Sequence, residues 1–113
     1  MKKALFIILF VVCQISFGQI YGDIATDKRP VVKQIEYAVS SNYNGQLVFD
    51  IIVDEKGNVT VCNLNKSKTN IKSTPTIMKA KNRIMVDLKF KASSMYPQFH
   101  RGQIVIKAYK KSN

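Results

Sequence analysis

The 113-residue sequence predicts an α+β fold, in which one helix packs on a three-stranded antiparallel sheet and an additional N-terminal helix precedes them. Three patterns carry this prediction. Apolar residues alternate on either side of a turn within residues 46–64, recur at helical spacing within 75–88, and alternate again within 103–109. A helix that follows a hairpin and precedes a third strand can cover one face of the resulting sheet.

Residues 1–19 have the three regions of a secretory signal peptide. Two lysines follow Met1, residues 4–13 form an apolar run, and small residues at positions 16 and 18 precede Gln19. The apolar run is shorter than the roughly 20 residues that a membrane-spanning helix needs. We therefore expect an exported protein, periplasmic or extracellular, without a stable membrane span once the leader is cleaved. An uncleaved membrane anchor is the alternative.

Residues 20–44 lie between the leader and the hairpin. Their first part is polar and without a period, and we expect it to fray. Pro30 begins a predicted short helix, because the missing proline N–H would be unpaired in the first helical turn anyway. Ile35 and Val39 then recur at helical spacing. Residues 45–113 are assigned to the main α+β domain.

The hairpin prediction rests on two alternating segments and the turn between them. The first segment places one set of apolar residues on a single side: Leu47, Phe49, Ile51 and Val53. Residues 54–58 have turn chemistry, with Gly57 able to take a positive φ, and Val59 and Val61 alternate again beyond the turn.

A second helix and a last strand complete the predicted fold. Ser73 or Thr74 can cap the helix that Pro75 begins. Its apolar stripe comprises Ile77, Ala80, Ile84 and Leu88. After an irregular connection, Gly102 precedes the strand within residues 103–109, and residues 110–113 are a polar tail.

Three short motifs follow one another after Gly45. The turn 54–59 reads DEKGNV, the segment after the helix, 88–92, reads LKFKA, and the last strand opens at 101–106 with RGQIVI. In order and spacing, these motifs resemble the C-terminal domain of TonB-type energy transducers. The chain departs from the pattern of that family at three places. It has no Tyr-Pro pair before the first strand, it has Leu88 where the family has an aromatic residue, and it has no Pro-Ala pair after the LKFK segment.

The resemblance implies a non-enzymatic binding module. In the family, a peptide of an outer-membrane transporter docks by adding a strand to the edge of the strand that follows the helix. The docking edge implied here comprises Gln103, Ile104, Val105, Ile106 and Lys107. We do not expect the family's membrane anchor and proline-rich linker in this chain, so energy transduction by the chain alone is not expected. An edge strand that only completes the sheet is the alternative.

Basic residues suggest a second class of partner. The formal net charge is +11, which favours contact with anionic surfaces. The alternative function is therefore a basic periplasmic or surface protein that binds anionic polymers or lipids. Its candidate contacts are Lys79, Lys81, Arg83, Lys89, Lys91 and Arg101. Lysines that only keep the protein soluble are the other explanation, and the lack of an aromatic stacking row argues against nucleic acid.

We expect no enzymatic activity, metal ion or cofactor. His100 is the only histidine of the chain, and Cys62 is the only cysteine after the leader. A metal site needs three or four ligands, and acyl transfer needs a nucleophile with an oriented base. We expect His100 at the surface or packed in a loop, and Cys62 as a small buried apolar residue, with intermolecular disulfide formation as the alternative.

Overall fold

The computed structural model describes residues 19–110. Two helices and seven strands follow one another in this part of the chain. In chain order they are β1 (Ile20–Tyr21), α1 (Asp23–Thr26), β2 (Val31–Lys33), β3 (Ala38–Ser41), β4 (Gly45–Val53), β5 (Val59–Leu64), α2 (Thr74–Asp87), β6 (Lys89–Phe90) and β7 (His100–Lys110). The predicted α+β class is confirmed. The signal-peptide prediction lies outside the described residues, apart from Gln19.

The long strand β7 lies at the centre of the main sheet. Along one side it pairs antiparallel with β4, in a register that joins Gly45 to Ala108 and Val53 to His100. Antiparallel pairing of β4 with β5 completes this side. Along its other side, β7 pairs antiparallel with β1 and parallel with β3. β2 and β6 form a separate two-stranded sheet. The three predicted strands are present, and N-terminal strands extend their sheet.

The turn between β4 and β5 confirms the predicted hairpin. The Asn58 N–H donates to a carboxylate oxygen of Asp54 at 2.9 Å, and the Gly57 N–H donates to the Asp54 carbonyl at 3.1 Å. Gly57 has a φ of 88°, and a Cβ at this position would collide with the Phe90 carbonyl. Both the turn conformation and the close approach of β6 therefore require glycine here.

The core lies between one face of the sheet and α2. Phe49 and Ile51 of β4 and Ile104 of β7 are buried on this face, against Ala80 and Ile84 of α2. The helix begins at Thr74, one residue before the predicted start at Pro75. The side chains that the alternation along the strands and the helical spacing along α2 place on one face are the ones that the structure buries. Local pattern and packing therefore agree.

The predicted helix beginning at Pro30 is wrong. This segment instead forms the extended strands β2 and β3, and the N-terminal helix lies earlier, at α1. Ile35 and Val39 fit a period of two as well as a helical period, because Tyr37 lies between them. Pairing of Val39 with Ala108 buries the valine and decides in favour of the strand.

Two of the three strands within residues 20–44 belong to the main sheet, and β2 pairs with β6 in the second sheet. β1 and β3 both pair with β7, and Ile20 and Ile24 are buried in the common core. The stretch that we expected to fray is thus ordered by non-local contacts. Within residues 19–110, no helix is long and apolar enough to cross a membrane.

Candidate binding surfaces

The predicted docking edge on β7 is not open. The Val105 N–H donates to the Gln19 carbonyl at 3.1 Å, and the Lys107 N–H donates to the Tyr37 carbonyl at 3.0 Å. Residues 103–104 pair with β1, and residues 107–110 pair with β3. Prediction of an open edge at 103–107 is therefore wrong, because N-terminal segments of the same chain already supply the neighbouring strands.

The outer edge of β3 is capped by a side chain. One guanidinium nitrogen of Arg83, Nη1, donates to the carbonyl of Glu36 at 2.8 Å and to that of Ala38 at 2.7 Å. These contacts satisfy acceptors that another strand would need. An added strand on this side would first have to displace Arg83.

The outer edge of β5 carries no such protection. β5 is the last strand of the main sheet on its side, and within residues 19–110 no other strand pairs with its outer edge. Its sequence, VTVCNL, contains neither a charged residue nor a proline. Natural sheets usually guard an edge with lysine, proline or very short strands. β5 has only the register irregularity at its start as a safeguard.

The direction of the backbone groups along β5 follows from the end of the ladder. The Asn65 N–H donates to the Val48 carbonyl at 2.7 Å, which makes residues 48 and 65 a hydrogen-bonded pair. Because such pairs alternate in an antiparallel ladder, Asn63 and Val61 also direct their N–H groups to β4. The N–H groups of Cys62 and Leu64 then point outward, at the free edge.

The six predicted anion contacts do not share one surface. Lys79, Lys81 and Arg83 lie on α2, which covers the core face of the sheet. Lys89 and Lys91 lie in and just after β6, beside the hairpin turn. Arg101 belongs to β7 and pairs with Ile52 on the side of the sheet that faces away from α2. The structure does not bring these residues together.

A buried arginine forms the best-defined polar centre of the fold. Arg29 is 0% exposed. Its guanidinium donates from Nε to the Lys91 carbonyl at 3.0 Å and from Nη2 to the Asp54 carbonyl at 2.7 Å. The Tyr96 ring lies 4.3 Å from the guanidinium carbon. Burial lowers the pKa of Arg29, and the nearby Tyr96 and Asp54 partly oppose this shift.

His100 belongs to the same centre, and its predicted surface or loop position is wrong. It is the first residue of β7 and is 1% exposed. Arg29 Nη1 lies 3.3 Å from His100 Nδ1, and the Asp27 carboxylate lies 2.7 Å from Nε2. Because a guanidinium can only donate, this network assigns the acceptor role to Nδ1 and the proton to Nε2.

The geometry of this centre fits a structural role. Arg29 joins three separate segments: the hairpin turn at Asp54, the connection after β6 at Lys91, and the start of β7 at His100. Both ring nitrogens of His100 are engaged by side chains of the same chain, Nδ1 by Arg29 and Nε2 by Asp27. In the sequence, nothing distinguishes Arg29 from the other basic residues, and only its contacts reveal the role.

The prediction that Cys62 is buried is confirmed. Cys62 is 3% exposed and lies on the core face of β5. Burial raises the pKa of its thiol to about 11, against an opposing effect of Lys81. Within residues 19–110, no group of three or more histidine, cysteine, aspartate or glutamate side chains is arranged to hold a metal ion.

The face of the sheet away from α2 carries two shallow hollows, and we call it the open face. The first hollow, of about 500 Å³, lies over the cross-strand pair Val48 and Val105, with Tyr21 at its margin. Val48 is buried beneath it, and Val105 is partly exposed. The polar side chains that line this hollow include Gln46, Gln103, Lys68 and Lys107. The second hollow, of about 320 Å³, is lined by Ile52, Val61, Asn63 and Arg101 among others.

A third hollow, of about 300 Å³, lies where β5 ends and α2 begins. Leu64, Ile71 and Ile77 supply its apolar surface, and Lys66 and Lys72 stand at its margin. It adjoins the free edge of β5, so a strand that extended along this edge would pass it.

Comparison with models of protein families, with curated proteins and with solved structures found no match for this chain. Resemblance to the C-terminal domain of TonB-type transducers therefore stays a prediction that rests on the sequence motifs. The surfaces described above have to be interpreted from their own chemistry.

Proposed function

We propose that this protein is an exported, non-enzymatic binding module that takes an extended segment of another protein as an added strand along β5. The observation that carries the proposal is the free outer edge of β5, six residues long and without charge or proline. Strand addition gains affinity from main-chain hydrogen bonds, and side-chain pockets along the edge add specificity.

The arrangement of the three sheet edges supports β5 as the docking strand. β7 is paired on both sides, β3 is capped by Arg83, and β1 is only two residues long. Cys62 and Leu64 offer outward N–H groups at a spacing of two residues, which is the spacing of donors along a strand edge. An incoming strand could pair with both without breaking a bond within the chain.

Charge favours a foreign segment over a second copy of this chain. Lys66 lies just beyond β5, and Lys81 is close enough to influence the Cys62 thiol. Pairing of two β5 edges would bring these lysines of both copies together in a chain of net charge +11. Like charges at such an interface oppose association. A segment with neutral or acidic residues meets no such penalty.

The family resemblance suggests where the partner comes from. We propose an extended segment of an outer-membrane transport protein, met in the periplasm or outside the cell after export. This assignment depends on the sequence motifs and the leader, whereas the docking strand depends on the free edge. The two parts of the proposal are therefore tested with different probes.

Amide exchange tests the docking strand directly. Peptides are first selected from a phage-displayed library of random linear sequences, and synthetic N-terminal segments of outer-membrane transport proteins are assayed beside them. In the free protein, we expect the amides of Cys62 and Leu64 to exchange faster than those of Val61 and Asn63, which bond to β4. Bound peptide should slow the first pair by about a hundredfold and change the second pair little.

A matched pair of variants tests the same contact. Leu64→Pro removes an outward N–H without removing a bond to β4, whereas Leu64→Ala shortens the same side chain and keeps the N–H. We expect peptide affinity to fall about tenfold or more in Leu64→Pro relative to Leu64→Ala. Equal affinity in both variants, or peptide-induced protection confined to other strands, would contradict docking on β5.

A further inference from the structure

The two hollows of the open face share one composition. Each has a floor of β-branched aliphatic side chains, an amide side chain beside it and a cationic side chain at its margin. In the first hollow these are Val105, which is paired with the buried Val48, together with Gln103 and Lys68. In the second hollow they are Ile52 and Val61, with Asn63 and with Arg101. The repeat of the pattern suggests a ligand with repeating units.

Hydrogen bonds hold the polar groups of the first hollow in place. Gln46 Nε2 donates to the Lys68 carbonyl at 3.1 Å, and Lys68 Nζ donates to Gln103 Oε1 at 3.3 Å. Gln103 Nε2 in turn donates to an Asp50 carboxylate oxygen at 3.0 Å. The Lys68 ammonium keeps its two other N–H donors for a ligand. The volume of the first hollow, about 500 Å³, lies within the range of small-molecule sites.

From these observations we infer that the open face binds an acidic saccharide. The C–H face of a sugar ring fits the accessible aliphatic side chains, which are Val105 in the first hollow and Ile52 and Val61 in the second. The hydroxyl groups of the sugar match the amides of Gln46 and Gln103, and its carboxylates match Lys68, Lys107 and Arg101. Val48 and Ile52 lie four residues apart on β4, which corresponds to about 13 Å along a strand. One ligand that reaches both hollows must therefore be an oligosaccharide.

The charges around the open face agree with an anionic ligand. Lys68, Lys107 and Arg101 are exposed. Asp50 is the acidic residue among those that line the two hollows, and both of its carboxylate oxygens already accept hydrogen bonds, from Gln103 and Asn65. These donors are neutral amides, so the negative charge of Asp50 remains, and the two hollows together carry three cations against one anion.

Other ligand classes fit this face less well. A peptide strand needs unpaired backbone groups, but β4 and β7 are hydrogen-bonded along both of their sides. Single-stranded nucleic acid prefers a row of aromatic side chains, and Tyr21 is the one aromatic side chain that lines either hollow. The aliphatic floors and amide margins favour a saccharide.

Titration with defined oligosaccharides tests the inference. The probe is a hexamer of galacturonate, and maltohexaose is the neutral hexamer of similar size. We expect the acidic hexamer to bind and to shift the amide resonances of residues 46–52 and 101–107, with affinity at least about tenfold above that of maltohexaose. Raised salt should weaken the acidic hexamer and leave the neutral one unchanged.

Two double variants with the same loss of charge separate the open face from general basicity. Lys68→Gln/Lys107→Gln removes two cations of the first hollow. Lys79→Gln/Lys91→Gln removes two exposed lysines that line neither hollow. We expect affinity for the acidic hexamer to fall about tenfold in the first double variant and less than about threefold in the second.

Three results would overturn the inference. They are no binding of the galacturonate hexamer at millimolar concentration, an equal loss of affinity in both double variants, and tighter binding of an oligo-dT that depends on Lys68 and Lys107. The last result would assign the face to nucleic acid instead. Because Leu64 lines neither hollow of the open face, saccharide binding that survives in Leu64→Pro shows that the two sites are independent.

Discussion

Arg29 is predicted to be the largest single polar contributor to the stability of this fold. Its guanidinium donates to the carbonyls of Lys91 and Asp54 and to His100 Nδ1, and the residue is 0% exposed. Arg29→Met keeps much of the side-chain length but removes every donor. Removing one partner from a buried charged network typically costs about 3–5 kcal/mol, because the remaining polar groups stay desolvated.

The size of this loss in stability depends on which of the acceptors that Arg29 contacts have another hydrogen-bond donor. The Asp54 carbonyl also accepts from the Gly57 N–H at 3.1 Å, so it is not left unpaired. The Lys91 carbonyl and His100 Nδ1 lose the donor that Arg29 supplies. Two unpaired groups at about 1–3 kcal/mol each give an expected loss of about 4 kcal/mol in the free energy of unfolding.

Urea unfolding followed by circular dichroism measures this loss, and Arg83→Met is the matched control. Arg83 also donates to two backbone carbonyls, but it is only half-buried and water can replace it. We expect about 1 kcal/mol for Arg83→Met. For Arg29→Met, the melting temperature should fall by roughly 15–30 °C, in line with a domain of this size. A loss no greater than that of Arg83→Met would refute the assigned role of Arg29.

Three further predictions concern buried ionisable groups and the turn. The Cys62 thiol, whose pKa burial raises to about 11, should react with iodoacetamide at pH 8 about a hundredfold more slowly in the native state than in guanidinium, and rapid native labelling would contradict its burial. Burial also raises the pKa of Tyr37 to about 12. Because the folded state then holds both protons more tightly, the stability from these groups is complete below their unfolded pKa values and is lost as the pH rises from about 9 to 12. The free energy of unfolding, measured with urea, should therefore be lower at pH 10.5 than at pH 8. If a Cys62→Ala/Tyr37→Phe variant lost as much stability between these pH values, the two groups would not be the cause of the decline. Gly57→Ala should lower the free energy of unfolding by about 2 kcal/mol or more, since its φ is 88° and a Cβ meets the Phe90 carbonyl. Gly45→Ala, which meets side-chain atoms that can move, is the control and should cost less.

The elements that sequence patterns predicted correctly are those with local signals. Alternation in β4 and β5, the turn at Gly57 and the stripe of α2 each lie within a short stretch of chain. Their local preferences agree with their final packing, and periodicity alone therefore predicts these elements correctly. Burial of Cys62 followed from its place in the same alternating segment.

The elements that the sequence misplaced depend on distant partners. Residues 31–39 fit either period, and the strand was selected by pairing between Val39 and Ala108. Because those positions lie far apart in the chain, no local window contains the deciding contact. Pairing of β1 and β3 with β7 closed the predicted edge at residues 103–107, so the candidate docking surface moved to β5.

By itself, the sequence determined the α+β class, the hairpin, the main helix and the strongly basic character, since these follow from local periodicity and from composition. Only the tertiary structure decided which sheet edge is free, where Arg29 and His100 lie, and that Lys68, Lys107 and Arg101 share a face. These properties are set by contacts between segments far apart in the chain. A loop arginine has the same sequence pattern whether it is solvated or buried. Its structural role is visible only once the carbonyls that it contacts in other segments are known.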